Sequence, residues 1–291
     1  MTSDEEQDKY LPLLLLGKIH TDTIDYDPQK EGAIHNRAYS EMFACANTVK
    51  PFLSHPDPDY RAEAVMILGR LIRHVNLVGV WLLDMASHED NRDVRMALLD
   101  QIEVMINDNY QPSESLREQA FAYVRDSMNC GNAMLECRAT ATIIAMQSGE
   151  VDDELAPKLD WCFRAVPLDE EIAQEQFGVI DMVTHLHRGL SRIADPQRLD
   201  IHERVLNSAG NPTVIRMVVC EILSTYGLAQ RTSNDPHIET VTDLQRRGLE
   251  IILACDLFWQ RELNDGLTYY RVDLTSRERL RLQLERMNSR D

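Results

Sequence analysis

The stretch Phe52-Leu-Ser-His-Pro-Asp-Pro-Asp-Tyr-Arg61-Ala-Glu-Ala-Val-Met-Ile-Leu-Gly-Arg-Leu71 reads as the junction between two helices. Asp57 suits an N-cap, where a carboxylate accepts a bond from a helix N–H that has no intrahelical partner. Pro58 follows at the first helical position, where its missing N–H costs nothing. Ala64, Val65, Leu68, Leu71 and Ile72 then recur at helical spacing and form one broad apolar face. A preceding helix, from about Asn36 to Leu53, ends just before the cap.

The same grammar returns along the chain. Asp90-Asn-Arg-Asp-Val-Arg95 is followed by Leu98, Leu99 and Ile102, and Glu136-Cys-Arg138 by Ala141, Ile144 and Ala145. Asn211-Pro-Thr-Val-Ile-Arg216 is followed by Val219, Ile222 and Leu223. The four arginines are separated by 34, 43 and 78 residues. The last gap is close to two spacings of about 39, which places one degenerate copy near Ala173 to Ile180.

Asp-Pro-Asp-x-Arg-x-x-Ala-x-x-x-Leu-Gly at 57–69 resembles the second-helix motif of HEAT repeats, and the resemblance covers roughly residues 36–227. It implies antiparallel helix pairs stacked side by side, with Asp and Arg in polar ladders between neighbouring repeats. On this chain Asp57 and Asp90 match the Asp position, and Arg61, Arg95, Arg138 and Arg216 the Arg position. The third and fifth copies lack the Asp, so the ladder is expected to break there.

Other boundaries suit a helical chain: Ser115 with Glu118 reads as a capping box, and Asp195-Pro196 and Asp235-Pro236 as helix starts. Leu267 to Asp273 alone hints at extended structure. The expected fold is all-α, a right-handed superhelical solenoid of about six antiparallel helix pairs, because a single pair cannot bury its own apolar face. Residues 1–35 are expected to form an irregular cap, 36–230 the repeats, and 231–291 C-terminal helices that close the same solenoid. The last of these carries a capping box at Thr275 and Glu278.

The chain has 291 residues and a formal net charge of −18. A surface this acidic repels phosphate backbones, so general nucleic-acid binding is not expected, whereas a basic protein would be steered towards it. No pair among the six cysteines has C-x-x-C spacing, which signals neither zinc nor a redox motif and suits reduced, buried thiols. The N-terminus is acidic, without the basic region of a signal peptide, and the Leu11–Leu16 run is too short to span a bilayer. A cytoplasmic protein without membrane contact is the expectation.

No His-Glu-x-x-His, phosphate loop or Gly-x-Ser-x-Gly elbow occurs, so no enzyme activity, metal or cofactor is expected. Asp181 and His185 share a helix face, which reads as an i, i+4 surface pair sooner than as ligands. Trp81, Trp161 and Trp259 lie in apolar runs and read as core. The candidate binding residues are acids: Glu150, Asp152, Asp153, Glu154, Asp160, Asp169, Glu170 and Glu171, with Asp100 and Glu221 each five after a repeat arginine. Many of these sit at helix starts, where complementing the helix dipole is the ordinary role and docking a basic protein the sharper one.

Three functions remain in play. The first is a non-enzymatic protein-interaction scaffold with an acidic helical-repeat surface. The second is an immunity or inhibitor protein that covers the phosphate-binding cleft of a basic, nuclease-like toxin. The third rests on the HEAT resemblance alone, since folds of that kind host alkylated-base DNA glycosylases and bilin lyases. A glycosylase needs a basic groove, against which the net charge argues.

Overall fold

A computed structural model describes residues 42–72, 76–107, 112–147, 151–153, 155–174, 178–226, 242–260 and 277–288. Every regular element among them is helical. The chain divides into two compact units, up to Met146 and from Gln147. The expected 1–35 cap, the Leu267–Asp273 segment and the Asp235-Pro236 start lie outside the described residues, as does Thr275 of the last capping box.

The first unit contains α1 (42–49), α2 (Pro58–Leu71), α3 (Asn76–Ala86), α4 (Arg92–Asn107), α5 (Glu114–Ser127) and α6 (Ala133–Met146). A 3-10 turn, Lys50–Ser54, joins α1 to α2. Helices alternate between two rows: α2, α4 and α6 pack side by side, and α3 packs on α5 behind them. The apolar positions read from the repeats all face this packing; Ala64, Leu68, Leu98, Ile102, Ala141 and Ile144 have no exposure. Full burial of a side chain of leucine size contributes about 2 kcal/mol, so each such stripe outweighs any single cap.

Gly69 sets how closely α2 approaches α4. A Cβ there would lie 1.8 Å from the Gln101 Oε1 and 2.4 Å from its Cγ, so a side chain at 69 has no room. Gln101 fills the hollow and donates from Nε2 to the Met66 sulfur at 3.2 Å.

The second unit contains α7 (Leu155–Arg164), α8 (Glu170–Gln174), α9 (Gly178–Leu190), α10 (Asp195–Ser208), α11 (Pro212–Thr225), α12 (Asp243–Ala254), α13 (Asp256–Gln260) and α14 (Arg277–Asn288). Here too helices pack on alternate neighbours, α10 between α7 and α12, and α11 between α9 and α13. The segment near Ala173 to Ile180, where a degenerate copy was expected, spans the end of α8 and the start of α9, and α9 has no arginine in its first turn.

Of the four helices that carry the motif's arginine, three are capped by asparagine. Asp57 accepts from the Asp59 N–H as expected, but α4 is capped by Asn91, which accepts from Asp93 and Val94. Asn132 accepts from Leu135, and Asn211 from Thr213 and Val214. The copies that lack the motif's Asp therefore have an Asn in the capping role. α5 is capped by Ser113, which accepts from Leu116, not by Ser115, whose hydroxyl instead accepts from Gln119. The two serines are two apart, and the chain enters the helix one position before the expected box. Among the described residues no helix is long and apolar enough to cross a membrane.

Candidate functional site

Two of the four motif arginines, Arg61 and Arg138, reach across to acids that the motif did not indicate. Arg61 on α2 forks onto Glu89, with Nε to Oε2 at 2.7 Å and Nη2 to Oε1 at 2.9 Å. Its Nη1 also donates to the carbonyls of His55 and Pro56. Burial pushes the Glu89 carboxyl up, but the Arg61 fork and the amides of Asn91 and Asp90 outweigh it and hold it below its ordinary value. Arg138 on α6 is fully buried and meets Glu103 at 2.9 Å together with Asp100. Arg95 donates to the Ser127 hydroxyl at 3.2 Å. No carboxylate among the described residues pairs with Arg216. Asp57 and Asp90 stand outside this ladder: Asp57 caps its own helix and Asp90 is exposed. The register between helices puts Glu89, one residue earlier, opposite the guanidinium.

Five of the eight described candidate acids have a partner within the fold. Asp100 is tied to Arg138, Asp160 to Arg164, and Glu221 accepts from the Thr225 hydroxyl. Asp152 caps α7, and Asp169 caps α8 through the amides of Glu171 and Ile172. Asp153, Glu170 and Glu171 are exposed, while Glu150 and Glu154 lie outside the described residues. Dipole complementation and capping thus account for the positions of several residues that composition alone grouped as a docking patch.

A cleft of about 520 Å³ opens in the first unit between the 3-10 turn and the C-terminal end of α3. Leu53, Trp81 and Met85 give it an apolar floor, and Lys50, Asp84 and Asp90 are its exposed charges. Arg61 and Glu89 also line it, but they neutralise one another. The Lys50 Nζ lies 4.4 Å from the centre of the Trp81 ring. Trp81 is therefore only half-buried, a correction to its expected place in the core. Trp161 is likewise half-buried, with the Lys158 Nζ 4.0 Å from its ring. Trp259 is half-buried too and donates from Nε1 to the Ile252 carbonyl. An apolar run such as 76–83 suggests burial all round, but the helical period turns Leu77 and Val80 outwards, at 48 % and 49 % exposure.

Of the Asp181, His185 and His187 group, Asp181 is exposed and His187 is buried. The His187 ring packs edge-on against His202 of α10, with centroids 5.5 Å apart, and lies 6.1 Å from Phe163 of α7. Among the described residues neither nitrogen of either imidazole has a hydrogen-bond partner. Burial, followed by the nearby Arg198 charge, pushes His187 down to about 4. Burial, His187 and Arg198 also push His202 well below its ordinary value. Among the described residues no group of three or more His, Cys, Asp or Glu is placed to hold a metal ion.

No known protein family, curated protein or solved structure matches this chain. Geometry and charge alone carry the functional reading. The sequence left out Lys50 and Asp84, because their meaning depends on the fold bringing α1 and its turn beside α3.

Proposed function

We propose that this chain is a non-enzymatic protein-interaction scaffold of the HEAT-like solenoid kind, whose acidic surface takes a basic partner protein. The observation that carries the reading is the cleft beside Trp81. It combines an aromatic and aliphatic floor, suited to a partner's side-chain stem, with two exposed carboxylates that no described cation neutralises. Interfaces draw most of their energy from such aromatic anchors, while a complementary field speeds the encounter. The net charge of −18 supplies that field for a basic surface.

The test is capture from native lysate at low and at moderate salt, comparing the wild type with the double variant Asp84→Lys/Asp90→Lys and with Asp153→Lys/Glu170→Lys. The expected outcome is a basic protein held by the wild type, released as salt rises, and lost from the Asp84/Asp90 variant. Equal retention by wild type and the Asp84/Asp90 variant refutes the cleft as the docking surface. Loss confined to the Asp153/Glu170 variant moves that surface to the second unit.

A further inference from the structure

We infer that the Trp81 face of the cleft is a recognition subsite for a lysine or arginine side chain of a partner protein, and that Lys50 occupies it in the unbound chain. This rests on the scaffold reading above and names the chemistry of its contact.

The ring already holds a cation in the position an incoming one would take. Lys50 is exposed, and among the described residues its Nζ meets the indole face and has no carboxylate within ion-pair distance. An exposed ammonium on a tryptophan ring is favoured only about two- to fivefold, so this contact is easily displaced. The second cation of the cleft is not available for exchange. Arg61 is fixed by both Glu89 oxygens and by the carbonyls of His55 and Pro56.

An incoming cation gains what Lys50 does not have. Asp84 and Asp90 line the same cleft, both exposed and neither paired with a cation among the described residues. A partner's lysine or arginine would meet the ring and these carboxylates together, with its methylene stem against Leu53 and Met85. With Arg61 and Glu89 cancelling, Lys50 alone opposes the two aspartates. Its displacement leaves the cleft doubly acidic until the partner's charge enters. An anionic ligand would have to face both aspartates with a single lysine in its favour, which is why the geometry points to a cation. Leu77, one turn before Trp81, and Val80, one turn before Asp84, are half-exposed on the same helix outside the cleft's lining and offer apolar surface to residues flanking that cation.

Trp161 provides the control. It carries the Lys158 ammonium at 4.0 Å, and it belongs to the other unit. Replacing Lys158 changes net charge as much as replacing Lys50 does, but leaves this cleft alone.

The experiment titrates a lysine-rich peptide of alternating Lys and Ala against wild type, Lys50→Ala, Trp81→Leu, Asp84→Asn/Asp90→Asn and Lys158→Ala at low salt, with thermal unfolding of each variant as a folding check. Lys50→Ala is expected to bind about two- to fivefold tighter, because the internal competitor is gone. Trp81→Leu is expected to bind about three- to tenfold weaker, and the double Asn variant about two- to fivefold weaker. Lys158→Ala should match wild type. If the peptide binds but Lys50→Ala leaves its affinity unchanged, or Lys158→Ala tightens it equally, the subsite is overturned and the basic-partner reading stands. If wild type and every variant fail to bind the peptide at low salt, the basic-partner reading falls and the subsite with it. Lys50 is exposed, so its variant tests the inference even if Trp81→Leu proves unstable.

Discussion

A buried cluster in each unit shows two ways of keeping a polar group inside. In the first, the guanidinium of Arg138 has no exposure and meets Asp100 and Glu103, so a full charge is kept inside by opposite charges. In the second, His187 and His202 are buried against one another without a hydrogen bond, and the nearest charge, Arg198, has the same sign as their protonated forms. A buried ion pair fixes its partners' geometry and punishes the loss of either one. A buried imidazole pair is tolerated only while both rings stay neutral. The first unit should therefore be sensitive to substitution of its charges, and the second to acid.

The largest effect is expected from Arg138→Ala. Removing one partner of the buried Arg138–Glu103 pair is expected to cost about 3–5 kcal/mol. Denaturant unfolding, with hydrogen exchange to separate the units, should show α4 and α6 weakened and α9 to α11 unchanged. Equal loss in both units would contradict the contrast.

Next in size is the response to acid. His187 has a folded pKa of about 4, below its ordinary 6.5, so between those values the unfolded chain binds more protons than the folded one. Stability is complete above about pH 6.5 and falls as pH drops towards 4, by roughly 3 kcal/mol for this one residue. His202 is shifted in the same direction and adds to the loss. Exchange in α9 and α10 should accelerate across that window, whereas α2, α4 and α6, where no described imidazole is buried, should keep their rates. The double variant His187→Leu/His202→Leu should flatten the response, and an unchanged acid response in it would remove the imidazoles as the cause.

The smallest effect sharpens the picture of the caps. Asn132→Ala should cost about 1 kcal/mol, the usual value for losing an N-cap. Asn211→Ala should cost more, because the Asn211 Nδ2 also donates to the Pro167 carbonyl at 3.0 Å. Thermal unfolding that ranks the two in reverse would mean that this second bond contributes nothing.

The helices and their buried stripes were legible because their causes are local. A cap, a proline at the first position and a 3.6-residue period are all visible within one turn or two. The ladder partners were not, because an arginine can be read from its own helix while the acid opposite depends on the offset of the neighbouring helix. Hence Glu89 and Glu103 serve where Asp90 was expected. Within the acidic group, charge counts do not separate Asp152 and Asp169, which cap helices, from Asp153 and Glu170, which stay exposed without a capping role. Trp81 was assigned to the core because hydropathy averages over a helix, whereas exposure follows its faces.

The two ladder contacts of the first unit run in opposite directions along the chain. Arg61 reaches forward to Glu89, and Arg138 reaches back to Asp100 and Glu103. The middle helix pair is thus gripped from both sides, and peeling away either neighbour strands an acid on it. Helical stacks held by nearest-neighbour packing alone can fray from an end. In this unit neither outer neighbour can leave without breaking an ion pair, so it is expected to open all at once, with a single relaxation rate.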